Sequence, residues 1–203
     1  MILERHKEAL LHLYEIASIV SGTPQFRIVE SLDSTAPTYQ IYSQSNLADD
    51  LAGVTSHETN QKFVRTFDEV EITEEDNLLY SLISGKAARV GRSHEGFLLT
   101  QNYVMLKPKK QCDALFLIYL LNEDQQVKKQ LHKGLQGSIV QKYTLKQLKS
   151  LILPQLPSLQ KQRLIGETYA NLLKLQVLKK RTAQLHQLYQ LAQLRKVYLD
   201  VRE

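Results

Sequence analysis

The chain has 203 residues, 43% of them hydrophobic, a net charge of +5 and a single cysteine. That apolar content supports a core of ordinary size and excludes global disorder, while a lone Cys112 excludes an internal disulfide and any multi-cysteine zinc site. Met1 to Lys7 carries Glu4, Arg5 and Lys7 with no apolar run behind it, so neither a signal peptide nor a membrane span is expected and the chain reads as cytoplasmic.

In chain order, Leu3, Leu10, Leu13, Ile16 and Ala17 have helical spacing and predict a helix or helix pair over 2–19, stopping near Ser21-Gly22-Thr23-Pro24. Short runs rich in aromatic and β-branched residues follow, with strands expected at Phe26 to Val29, Tyr39 to Tyr42, Lys62 to Phe67, Leu78 to Ile83, Phe97 to Leu99 and Tyr103 to Lys107. Asp113 to Asn122 is an apolar helix, Glu123 to Lys133 a second and Leu145 to Ser150 a short third. Pro154 and Pro157 then hold Leu153 to Pro157 extended, and Ser158 stands as the N-cap of a new helix.

From Leu159 to Glu203 there is no proline and the only glycine is Gly166, so an unbroken helix here would be roughly 65 Å long. Leu178, Leu185, Ala192 and Leu199 recur every seven residues with Leu175, Thr182 and Tyr189 three places ahead, a heptad seam. Leu188, Leu191, Leu194 and Tyr198 form a second stripe. Such a helix either folds back on its own domain or associates with helices of other chains, and two stripes favour association. The fold class is therefore α+β: a mixed domain over 1–157, then a long coiled-coil-forming arm over 158–203.

Charge is laid out unevenly. Met1 to Gly85 carries five Lys/Arg against fourteen Asp/Glu, Lys86 to Lys149 twelve against four, and Ser150 to Glu203 nine against three. The asymmetry favours a polyanionic partner, nucleic acid first, over a solvated lysine-rich surface that would give the same pattern.

Enzymatic signatures are absent. Gly85-Lys86 followed by Gly91 lacks P-loop spacing, and there is no G-x-S-x-G, H-E-x-x-H, C-x-x-C or Asn-Pro-Pro-aromatic motif. The six histidines, His6, His12, His57, His94, His132 and His186, show no ligand spacing. The acidic run Asp68, Glu69, Glu71, Glu74, Glu75 and Asp76 is the one place for a divalent ion, and a solvated acidic loop explains it more simply. No cofactor or metal is expected.

Several motifs are shared, in order, with one family. Pro157-Ser158-Leu159-Gln160-Lys161-Gln162-Arg163-Leu164-Ile165 resembles the "P-x-L-x-x-Q-x-x-I" junction that follows each target recognition domain in the DNA-specificity subunits of type I restriction-modification enzymes. Ser21-Gly22-Thr23-Pro24 with Tyr39 to Tyr42 looks like that domain's opening, and Asp76-Asn77-Leu78-Leu79-Tyr80-Ser81 with Arg89-Val90-Gly91 resembles its "G-D-I-L-I-S" strand and following loop. Leu99 to Tyr103 with Leu106-Lys107-Pro108 sits at the next strand, and Gly134 to Ser138 with Tyr143 to Leu153 fits the "G-S" loop, short helix and exit strand. Asn77 and Gln160 stand where acidic residues are usual, and one domain with one arm stands where the usual subunit has two of each.

The resemblance implies a half-subunit that binds double-stranded DNA, docks a DNA methyltransferase subunit and, for cleavage, the motor-nuclease subunit, with a homodimer through the arm restoring a bipartite reader. It implies no bond-making by this chain. DNA contacts are expected from basic and polar loop residues: Lys86, Arg89 and Arg92 first, then Gln101, Asn102 and Tyr103, and a second cluster of Lys133, Gln136, Ser138, Gln141 and Lys142. Partner helices are expected on Leu175, Leu178, Leu185, Leu188, Tyr189, Ala192 and Leu199, while Lys179, Lys180, Arg181, Arg195 and Lys196 either face a partner or solvate the arm. The alternative is a self-standing coiled-coil homodimer acting as a DNA-binding regulator or protein-interaction module.

Overall fold

A computed structural model describes residues 11–55, 61–133 and 142–200. A four-stranded antiparallel sheet organises the chain in the order β2 (Ala17–Ser21), β7 (Tyr103–Pro108), β5 (Leu78–Ser81), β6 (Ala87–Arg89). Successive side chains of a strand point to opposite faces, and both faces here are apolar. Leu78, Tyr80, Val104 and Leu106 enter one core with Leu117, Ile118 and Leu121 of α3 (Ala114–Glu123). Leu79, Ala88 and Met105 enter a second with Tyr42 and with Leu47 of α2 (Gln44–Ala52). Burial on both sides explains why Leu78, Leu79 and Tyr80 of β5 are apolar in succession rather than alternating.

Local capping chemistry sets the helix starts. Ser43 accepts from Asn46 N while Asn46 Oδ1 accepts from Ser43 N, a reciprocal cap for α2. Asp113 caps α3, Asp124 accepts from Gln126 N and Val127 N at α4 (Gln125–Lys133), and Thr144 with Gln147 caps α5 (Leu145–Lys149). A ribbon of β3 (Thr38–Gln40) and β4 (Phe63–Arg65) is joined to the body where Leu98 bridges both Ile41 and Ile72.

The first described strand meets the segment that precedes the long helix. β1 (Leu11–His12) pairs with β8 (Ile152–Leu153), and the Gln130 amide donates to Ile152 O at 2.7 Å and accepts from Ile152 N at 2.9 Å, extending that pair as a strand would. From there Leu159–Asp200 runs as one helix, α6, beginning where the prolines and Ser158 predict.

Four expectations are corrected. The helix predicted over 2–19 covers only α1 (Leu13–Ile16) among described residues, because Ala17–Ser21 pairs with β7 instead. Phe26 to Val29 is no strand: Gln25–Arg27 is a single 3-10 turn behind Pro24. Phe97 to Leu99 contributes isolated bridges, and the segment read as a loop from Gly85 to Gly91 contains β6. That edge strand is covered by Asn122, whose amide makes both hydrogen bonds of Ala87, 2.8 Å each.

Candidate nucleic-acid interface

The expected DNA-contacting residues fall into separate places. Lys86 lies at the end of the β5–β6 turn and leans to Glu123, 3.9 Å away, on α3. Glu123 also accepts from Lys128 Nζ at 2.8 Å and from the Tyr169 hydroxyl of α6 at 2.9 Å. Desolvation opposes its charge, yet these two hydrogen bonds and the Lys128 and Lys86 charges outweigh it and hold the carboxyl below the usual glutamate range. Lys86 is thus tied to the base of the arm.

Arg89 and Arg92 lie elsewhere, in a cleft whose walls also carry Asp49, Asp50, Glu75 and Asp76. Arg89 pairs with Asp76 at 3.5 Å. Four carboxylates beside two guanidiniums make this an unfavourable place for a phosphate. The floor of the cleft is Asp50, whose side chain is 3% exposed. It accepts from Gly91 N at 2.9 Å and the Tyr42 hydroxyl at 2.6 Å, and lies 2.7 Å from His94 Nδ1. Asp50 therefore fixes the turn that carries Arg92. Asp50→Ala should cost about 2–4 kcal/mol, since it strands buried donors, and should speed hydrogen exchange at Gly91 N relative to the sheet amides.

Asn102 and Lys142, from the two expected clusters, do meet: Lys142 Nζ donates to Asn102 Oδ1 at 2.7 Å. Beside them Gly85, at φ +65°, turns the chain under the Tyr143 ring, where a side chain has no room. Gln101 is half-buried, its amide donating to Thr23 O at 2.9 Å. Tyr103 is a correction: at 2% exposure it belongs to the second core, edge-on to Tyr42, with Gln44 Nε2 donating to its hydroxyl at 2.6 Å. Lys133 is exposed at the end of α4, near Lys128, Lys129 and His132. Gln136, Ser138 and Gln141 lie outside the described residues.

Asp50, His94 and Tyr42 were missed because no motif joins residues so far apart in the chain. Gln162 was quoted only as part of the junction, and its role is structural: it is 1% exposed and all its polar groups are paired. Its Oε1 accepts from Asp113 N at 2.8 Å, and its Nε2 donates to Gln111 O at 3.0 Å and Pro157 O at 2.9 Å. One turn on, Gly166 lies against the α3 backbone at Leu115 and Phe116, and Tyr169 packs edge-on to Tyr119. These contacts seat the first turns of α6, and from Leu178 to Leu199 every residue is exposed.

Leu178, Leu185 and Leu188 are 44%, 57% and 62% exposed, and Leu175, Tyr189 and Leu199 are open as well. The arm does not fold back on its own domain. Among the described residues, no three His, Cys, Asp or Glu side chains converge as metal ligands, and no helix is long and apolar enough to cross a membrane. The acidic run is instead dispersed, with Asp68 accepting from Val29 N and the Thr66 hydroxyl, and Asp76 facing Arg89.

The mixed α/β domain followed by a long C-terminal helix has the fold of a type I specificity subunit. The chain superposes on the HsdS subunit from Thermoanaerobacter tengcongensis with a TM-score of 0.54 and 16% identity, over 86% of this chain and 39% of that one. A chain from a structure on complex assembly and conformational transition of the type I R-M system gives 0.56 and 19%, over 94% and 44%. The present chain thus spans about two-fifths of those subunits. No protein with a curated description matches it in sequence. Residues 13–187 match the type I restriction modification DNA specificity domain, and the chain belongs to that family.

Proposed function

We propose that this chain gives a type I restriction-modification complex its sequence preference: residues 1–157 bind duplex DNA and the arm, 158–203, docks a methyltransferase subunit and pairs with a second arm. The observation that carries this reading is the free arm, a long exposed apolar seam rigidly seated on a domain of the specificity family. Bond-making then belongs to the partners, the methyltransferase and, for cleavage, the motor-nuclease. Lys86, Arg89, Arg92, Gln101, Asn102, Lys133 and Lys142 remain candidates for phosphate and base contacts, the Asn102–Lys142 pair being the least encumbered by carboxylates. Co-expression with a type I methyltransferase subunit, followed by mapping of methylated bases in genomic DNA, tests the proposal. Methylation at one interrupted site supports it; no complex and no methylation would leave the self-standing coiled-coil DNA binder.

Arm pairing has its own test. Between Leu175 and Leu199 the arm carries Lys179, Lys180, Arg181, Arg195 and Lys196 and no carboxylate. Two copies side by side therefore repel, and added salt should strengthen their association while it weakens DNA binding. Leu178→Asp with Leu185→Asp should convert a dimer to monomer in sedimentation with the domain still folded, because these leucines are exposed in the single chain.

A further inference from the structure

We infer that the outward face of the β3–β4 ribbon is a base-reading surface that enters the DNA major groove, with Gln40, Phe63 and Arg65 as the reading side chains. The inference rests on the proposed function and names the site within it. Register puts the residues together: Thr38 pairs with Arg65, Tyr39 with Val64 and Gln40 with Phe63, so Thr38, Gln40, Phe63 and Arg65 share one face. Thr38 is exposed, Phe63 is 55% exposed, and Gln40 and Arg65 are half-buried. Among the described residues, none covers the Phe63 ring enough to bury it.

The chemistry of the face matches base edges. Arginine pairs in two places with guanine O6 and N7, glutamine with adenine N6 and N7, and an aromatic ring or a threonine methyl covers the thymine methyl. No carboxylate stands among the four residues. Arg65 is partly oriented already, because its Nε donates to Thr38 Oγ1 at 3.3 Å, and its charge is felt by Asp33. That leaves the terminal guanidinium nitrogens to make a two-point contact.

The ribbon is also the right size and is firmly held. Two strands about 4.8 Å apart, with their side chains, fit a groove about 12 Å wide. Ile41 N donates to Lys62 O, Thr66 N to Pro37 O and Ser31 N to Arg65 O, at 2.8, 3.0 and 2.8 Å, and Leu98 anchors the ribbon to the body. Lys62, next to Phe63, supplies positive charge at the end of the ribbon. On this face Phe63 stands beside two planar hydrogen-bonding side chains, Gln40 and Arg65.

The full chain, in complex with its methyltransferase subunit, is used to select duplexes from a random library and the bound sequences are read. Gln40→Ala, Phe63→Ala and Arg65→Ala should each relax the preference at one or two positions and weaken the selected site about tenfold or more, with binding to scrambled duplex unchanged. Arg65→Lys should fail to restore the lost position, since an ammonium lacks the fork. Thermal unfolding checks that the exposed substitutions leave the fold intact. Variants that all keep the wild-type preference would overturn the inference, as would loss of methyltransferase capture with the preference retained, which would make the ribbon a protein-docking face. A wild-type complex that selects no site would overturn the proposed function itself.

Discussion

Replacing Gly166 by alanine should destabilise the protein by about 1–3 kcal/mol, the reverse of the roughly 1 kcal/mol gain that the same exchange brings in an unobstructed helix. A Cβ at this position would sit 2.5 Å from Phe116 N and 2.7 Å from Leu115 C and Cβ. Two of those atoms are backbone inside α3, so no rotamer change relieves the clash and the two helices must move apart. Valine should be worse and should unseat the stem. Urea unfolding with an unchanged dependence on denaturant reads the loss directly, and a stabilised alanine variant would show that the helices do not approach as closely as described.

Gln162→Leu should cost roughly 3–5 kcal/mol, although leucine is close to glutamine in size and would ordinarily suit a buried site. The reason lies in what is left behind: the Asp113 amide and the Gln111 and Pro157 carbonyls lose their partners without gaining water. The physical content of the junction motif follows from this. Proline delivers an extended strand to the helix start, and the glutamine ties that start to the loop before α3. Gly166 then lets the helix lie down. Since both substitutions act on the same contact between stem and α3, their costs should not add in the double variant.

Much of the chain could be read from its sequence where local chemistry decides. The prolines, Ser158 and the glycine-poor run fixed the start of α6, and the apolar runs marked β5, β7 and α3 to within a residue or two. The failures are non-local. Ile16 to Val20 is apolar at spacings that suit a helix as well as a strand, and its pairing with β7, far along the chain, decided for strand. Ala87 and Ala88 favour helix by propensity, and they lie in a strand because β5 and the Asn122 amide supply their hydrogen bonds. Asn77, where an acid is usual, still works because its Oδ1 accepts from Glu74 N at 3.0 Å, a task for which the charge is dispensable.

The site was less legible because charge along a sequence differs from charge in space. Along the chain the acidic first segment and the basic middle one are separate. They fold against each other instead, with Asp76 on Arg89 and with Asp49, Asp50 and Glu75 lining the cleft that Arg92 shares. Residues chosen by type and position as DNA contacts are partly engaged at home, whereas the ribbon, which belongs to the acidic segment, bears a neutral and cationic face.

The pairing of β1 with β8 also governs the order in which the molecule comes into being. It closes a loop of about 140 residues, a contact that costs loop entropy and forms late, after the shorter-range sheet and helices have drawn its ends together. Gln162 has the same dependence, since two of its three partners lie in the segment before α3. During synthesis the arm emerges after residues 11–157, and its stem has nowhere to sit until they have folded. The docking contacts of the stem therefore form only once the domain beneath it has folded.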